Sequence, residues 1–319
     1  MFDHILVPLD KSQLAECALP HAATLARAFR ARITLLHIVE RDSFGDGGES
    51  IVDPLGWQAR KAEARTYLDE LAARFAKTDL RVDTTLLEGP AAERIVEFTG
   101  SHGIDLIALT SHGQSGLSGW NVSSVVQKVI LCAHVPVMIV RAYACPTTAI
   151  AETRYRRLMV SLDGSPRAEH VLPLAATLAH TSGSQLVLAH VVNTPEVPRR
   201  TSLTEEESGL VDRLTELNRA RGIKYLGQLQ ARLPPSTEVH LVVSEDPAAA
   251  LHDLVDQGEI DLVALSAHGY TGETRWPYGS TALNFIANGT TPLLIVQDLS
   301  PHELEKTRAE RAKQEAKGH

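Results

Sequence analysis

Cysteine is scarce in this chain, with only Cys17, Cys132 and Cys145 among 319 residues. The number is odd and no two form a C-x-x-C pair. This excludes a small disulfide scaffold and a Cys/His zinc framework, and it fits a reducing cytoplasm. Long apolar runs are also missing: none approaches the ~20 residues needed to cross a bilayer. The opening stretch Met1-Phe2-Asp3-His4-Ile5-Leu6 has no basic region and no long apolar core, so no secretory signal is expected. Positive charge is short, with 31 Lys and Arg against 39 Asp and Glu and a net charge of −8. A non-specific nucleic-acid binder needs a basic stripe, and there is none. With 21 Gly and 16 Pro the chain is neither collagen-like nor low-complexity. What is there, 44% hydrophobic and 22% charged residues, suits a soluble globular protein. At roughly 150 residues per domain, the length suggests about two domains.

Those two domains are copies of each other. Ile5-Leu6-Val7-Pro8-Leu9-Asp10 aligns with Leu158-Met159-Val160-Ser161-Leu162-Asp163, and Leu36-His37-Ile38-Val39 with Ala189-His190-Val191-Val192, both at an offset of 153. Further on the offset is 156. It pairs Ile104-Asp105-Leu106-Ile107-Ala108-Leu109 with Ile260-Asp261-Leu262-Val263-Ala264-Leu265, and Pro136–Val140 with Pro292–Val296. Colinear order with a small net insertion indicates a duplicated domain, not a short-repeat solenoid. The expected division is a first domain over 1–141, a linker over 142–155, a second domain over 156–298 and a charged tail over 299–319. Ser300-Pro301-x-Glu303 reads as a helix start with a capping box.

Each half alternates strand and helix. In the first, strands are expected at 4–9, 32–39, 80–87, 104–110 and 136–140. Helices are expected at 13–30 with Ser12 as N-cap, and at 58–76, 91–101 and 122–132. A Gly-rich loop covers 42–48, and its counterpart runs from Asn193 to Glu207. Apolar strands with intervening helices predict an α/β fold: two tandem, doubly wound, five-stranded parallel sheets. Pro20 and Pro173 are expected to kink their helices. If the last strands are sheet edges, pairing the two halves through them would bury both edges and make an intramolecular pseudo-dimer. Further homodimerisation stays open.

In open α/β sheets ligands collect at the carboxyl ends of the strands, at the switch in strand order. First strands end at Asp10 and Asp163, second strands at His37-Ile38 and His190-Val191. Fourth strands end at Thr110-Ser111-His112-Gly113 and Ser266-Ala267-His268-Gly269. From there the loops reach helix starts at Ser123-Ser124 and Gly279-Ser280-Thr281. Glycine admits close backbone approach, helix N-termini favour anions and hydroxyls add donors, so the pattern reads as an anion site. The strand-one Asp can accept a hydrogen bond from an adenine amino group or a ribose hydroxyl.

These residues resemble the universal stress protein family, as a tandem member. Its ATP-binding pattern, G-x2-G-x9-G-[S/T], is matched in the second half by Ser266-x2-Gly269-x9-Gly279-Ser280. In the first half it is matched by Thr110-x2-Gly113-x9-Ser123-Ser124, where two glycines are replaced. The strand-one Asp, the strand-two end and the Pro opening strand five extend the resemblance over nearly 1–298. It implies a Rossmann-like, adenine nucleotide alpha hydrolase-like fold and a role in the stress response through nucleotide-dependent sensing or signalling. It also implies ATP, with or without Mg²⁺, as the ligand. Adenine would lie near Asp163, Val191 and Leu265, with Ser266 beside them, and phosphates near Gly269, Gly279, Ser280 and Thr281. The first-half equivalents are Asp10, Ile38, Leu109, Thr110, Gly113, Ser123, Ser124 and Val125. A Cβ at Ser123 would crowd a phosphate, and Arg275 is matched by no cation in Gln114–Val122, so the second half is expected to bind more tightly.

Other readings compete. His37/His112 and His190/His268 are a candidate metal site, though no H-E-x-x-H spacing supports it. Slow ATP hydrolysis is a further alternative, although there is no Walker lysine and no obvious Mg²⁺ carboxylate pair beside the phosphate loop. No spacing specifies a catalytic triad. A scaffold or chaperone-like stress protein without nucleotide is the remaining alternative. The loops at 40–57 and 193–207 are candidate surfaces for a protein partner that the sequence does not name.

Overall fold

The computed structural model describes residues 2–40, 54–113, 122–141, 153–195, 204–270 and 277–298. The chain divides into two compact units, residues 1–154 and 155–319. The glycine-rich loop, Gln114–Asn121, Arg275, most of the expected linker and the tail with its Ser300 capping box lie outside the described residues.

The first unit holds β1 (His4–Leu9), α1 (Gln13–Glu16), α2 (Ala18–Phe29), β2 (Arg32–Val39), α3 (Pro54–Phe75), β3 (Val82–Glu88), α4 (Ala91–Ser101), β4 (Leu106–Thr110), α5 (Ser124–Ala133) and β5 (Val137–Val140). Its strands run in the order β3-β2-β1-β4-β5, all parallel. The direction of travel reverses after β3. Right-handed crossovers then put α2 and α3 on one face and α4 and α5 on the other, and α4 and α5 do pack together. Ile5, Leu6, Val7, Ile33, Leu35, Leu106 and Ile107 fill the middle layer without exposure.

The second unit repeats this with β6 (Arg157–Leu162), the 3-10 turn η1 (Ala168–Val171), α6 (Leu172–Ser182), β7 (Gln185–Asn193), α7 (Glu205–Gln230), β8 (Glu238–Ser244), α8 (Pro247–Gln257), β9 (Leu262–Ser266), α9 (Ser280–Asn288) and β10 (Leu293–Val296). Its order is β8-β7-β6-β9-β10, again parallel. Even the register is shared: Leu9 faces His37 as Leu162 faces His190.

Three expectations need correction. The first helix breaks at Cys17 into α1 and α2, so Pro20 falls in the first turn of α2. Pro173 likewise falls in the first turn of α6. Backbone N–H groups there have no intrahelical partner, so neither proline removes a bond or imposes a kink. The strands are not all continuously apolar: β3 and β8, each pairing with one neighbour within its unit, carry polar residues, Asp83, Thr84 and Thr85 in β3 and His240 in β8. Cys17 is disulfide-bonded, whereas Cys132 is free; Cys145 lies outside the described residues. One helix start was not anticipated. Thr204 opens α7 with a capping box: its hydroxyl accepts from Glu207 N at 3.2 Å and Glu207 Oε2 accepts from Thr204 N at 2.8 Å. Among the described residues no helix is long and apolar enough to cross a membrane.

Candidate functional site

In both units the strand order switches between the first and fourth strands. At this point in the second unit, between β6 and β9, lies a small pocket of about 80 Å³, open to solvent. Asp163 and Leu162 line it from β6, Leu265, Ser266, His268 and Gly269 from β9, and Gly279, Ser280 and Thr281 from the start of α9. Seven of the eight second-half candidates are thereby brought together. Val191 is not among the lining residues; it stays in β7, in register with Val242.

The two ends of the pocket differ in chemistry. At one end stands the exposed Asp163 carboxylate. Its Oδ1 accepts from Ser165 N at 2.9 Å and its Oδ2 from Tyr270 N at 2.6 Å. Each oxygen keeps a second lone pair for a ligand donor. A Cβ at Gly269 would stand 2.1 Å from Oδ2. At the other end α9 begins at Gly279, which supplies no side-chain cap. Gly279 N donates to Ala267 O at 2.7 Å, so the wall and the helix start are tied together. The helix-start amides and the hydroxyls of Ser280 and Thr281 form an anion-favouring end. Ser266, which replaces the first glycine of the pattern, points its hydroxyl at Ala168 O, 3.5 Å away, within the wall.

The first unit reproduces this frame with different details. Asp10 Oδ1 accepts from Ser12 N at 3.0 Å and from Ser12 Oγ at 2.6 Å. A Cβ at Gly113 would come within 2.0 Å of Asp10 Oδ2. Thr110 donates its hydroxyl to His112 O at 2.7 Å, so this non-glycine residue also serves the wall. Ser123 N donates to Ser111 O at 2.8 Å, matching the Gly279 bond. Here, however, the residue before the helix caps it: Ser123 Oγ accepts from Val126 N at 3.4 Å. Ser124 and Val125 follow in the first turn, with Val125 exposed, while Leu109 is buried in β4 and Ile38 half-buried in β2.

The strand-two histidines are structural. His37 Nδ1 donates to Leu9 O at 2.7 Å and His190 Nδ1 to Leu162 O at 2.8 Å, across the paired strands. Each ring meets a tyrosine edge-on, Tyr67 at 6.2 Å and Tyr225 at 5.8 Å. Burial, reinforced by Lys11, keeps His37 below the usual histidine range, so it stays neutral. Burial first, and then the carboxylates of Glu16 and Glu169, push the Tyr67 and Tyr225 phenols up. Among the described residues no three His, Cys, Asp or Glu side chains stand together as a metal cluster.

Sequence reasoning missed two residues close to the pocket. Asp298, just past β10, accepts from both His268 N and His268 Nδ1, and Arg167 in the β6–η1 loop faces it. Comparing the two copies was the available signal, since the first has Leu14 and Ala142 at these positions.

These features define a class: a tandem, doubly wound α/β protein whose second unit carries a pocket at the switch in strand order. Residues 1–141 and 154–297 each match the model of the Universal stress protein family, and the chain belongs to that family. Universal stress protein Rv2005c of Mycobacterium tuberculosis is 24% identical over 297 residues, covering 92% of this chain and 96% of its own. Universal stress protein MJ0531 of Methanocaldococcus jannaschii is 28% identical over 145 residues, 44% of this chain and 83% of its own. A universal stress protein crystal structure from Archaeoglobus fulgidus shares the fold with a TM-score of 0.61 at 18% identity. That match covers 93% of this chain and 98% of that one.

Proposed function

We propose that the second unit binds ATP, with or without Mg²⁺, and that nucleotide occupancy is the signal this universal stress protein passes on in the stress response. One observation carries the reading: the pocket at the ends of β6 and β9 faces the start of α9, which has no side-chain cap. Triphosphate oxygens suit the helix-start amides with Ser280 and Thr281, and the adenine or ribose donors suit Asp163. The first unit is the weaker site, because the Ser123 hydroxyl already takes a donor of α5 that a phosphate would use. Occupancy shifts a partner's binding only if that partner prefers one state of the chain. Calorimetric titration of the full chain with ATP, together with analysis of any nucleotide released on denaturation, tests the reading. A titration dominated by one site supports it. No heat, no thermal shift and no released nucleotide would refute it.

A further inference from the structure

In the second unit one buried carboxylate joins the two loops that build the pocket. The side chain of Asp298 is 1% exposed. Its Oδ1 accepts from His268 N at 3.0 Å and from His268 Nδ1 at 2.8 Å, and the His268 ring is itself without exposure. Its Oδ2 has no hydrogen-bond partner and faces Arg167 Nε at 3.7 Å. His268 lies in the β9 wall of the pocket, and Arg167 directly precedes Ala168, which also lines it. A carboxylate taken out of water is costly unless its bonds offset the loss. Here the two bonds to His268 and the nearby Arg167 charge oppose that cost, and they tie down the turn that lines the pocket.

The duplication supplies a comparison. Where the second copy has Arg167 and Asp298, the first has Leu14 and Ala142, while both keep the histidine, as His112 and His268. The two partners differ together, as expected of a pair that works as a unit. The remaining bonds of the second wall show what the pair adds. Ala267 N donates to Val296 O at 2.8 Å and Tyr270 N to Asp163 Oδ2 at 2.6 Å. Asp298 secures the residue between these points by both its backbone and its ring. Residues 267–270 are thereby held from the last strand on one side and the first on the other.

We infer that Asp298 is a positioning residue, which sets the His268–Gly269 wall through His268 and makes the second pocket the pre-organised one of the pair. Its effect on ATP rests on the nucleotide reading above; its effect on the wall does not. Pre-organised walls raise affinity because less order is lost on binding. In the full chain, Asp298→Ala should speed hydrogen exchange in the 262–270 peptide and leave first-unit peptides unchanged. It should weaken ATP at the second site about tenfold, the scale of one charge-assisted hydrogen bond. Asp298→Asn keeps an acceptor for His268 and should stay within about threefold of the parent, less than the loss of one such bond. If the alanine variant does not fold, Asp298→Ser is read in its place, since its short side chain cannot reach both donors. Unchanged exchange in a folded Ala or Ser variant overturns the clamp, as does an Asn variant that exchanges as fast as Ala. Faster exchange with unaltered ATP affinity overturns the role in binding. Absence of ATP binding in the parent chain would sink the nucleotide reading alone, with the exchange rates still deciding the clamp.

Discussion

Gly269 lies so close to Asp163 that a Cβ would stand 2.1 Å from Oδ2 of the carboxylate. Gly113 and Asp10 repeat the contact at 2.0 Å. Neither glycine has a positive φ, so space and not backbone freedom demands the residue. Gly269→Ala should therefore destabilise the second unit by about 1–3 kcal/mol, the usual cost of forced overpacking. Adding Asp163→Ala should recover at least about 1 kcal/mol of it, a coupling expected for residues in contact. Denaturant melts of the two single variants and the double measure this; strict additivity would mean that the contact is not the cause.

The helix starts offer a cleaner handle on ligand preference. A Cβ at Gly279 would meet Ala267 O at 3.5 Å, an ordinary contact. Gly279→Ser should thus fold normally and cap α9 as Ser123 caps α5. Its second-site ATP affinity should fall by about tenfold, the value of one donor lost to a phosphate. Ser123→Gly should strengthen the first site and cost about 0.5 kcal/mol of stability, within the range for a Ser-to-Gly cap change. Paired calorimetric titrations read both, and an unchanged Gly279→Ser affinity would remove the cap as the discriminator.

Acid should undermine the first unit. Burial pushes His21 down to about 4, and burial also holds His4 and His37 below their usual range, with Arg32 adding to the effect at His4 and Lys11 at His37. The unfolded chain takes protons near pH 6.5, which the fold refuses. The stability these histidines contribute is therefore complete above about pH 6.5. It is lost as pH falls toward their folded values, with about 4 for His21 marking the lower end. Hydrogen exchange at a series of pH values should show protection of β1, β2 and α2 declining through this window. Constant protection from pH 7 to pH 4.5 would contradict the assignment.

Thr204→Ala removes the acceptor for Glu207 N and the reciprocal box at the head of α7. Amides of the first turn should exchange about fivefold faster, as expected for a lost N-cap, while the middle of the helix is unaffected. Equal exchange across α7 in both proteins would show that the box is dispensable.

The duplication made most of the architecture readable. Buried strands such as Leu106–Thr110 announce themselves as short apolar runs between helices, and Ser12 and Ser123 mark helix starts by their chemistry. Val82–Glu88 was harder to read, because a strand with one neighbour in its unit keeps polar residues on its open side. Pro20 was misread because its consequence depends on which turn it occupies, and the break at Cys17 leaves no periodicity signal. Gly269, Gly279, Ser280 and Thr281, singled out by their spacing, and Asp163, singled out by its place at a strand end, line one pocket. Asp298 and Arg167 stand 131 residues apart in the chain and meet only through tertiary folding. No local pattern encodes that meeting, and only a position-by-position reading of one copy against the other exposes it.

The contact between each wall glycine and its aspartate also bears on how related sequences are read. A copy that had stopped binding nucleotide would still need glycine there, because its own carboxylate fills the space. Packing alone therefore accounts for that glycine, whether or not its copy serves a ligand. The residue opening the following helix is under no such steric constraint, so its identity is the better diagnostic of whether a given copy still serves a ligand.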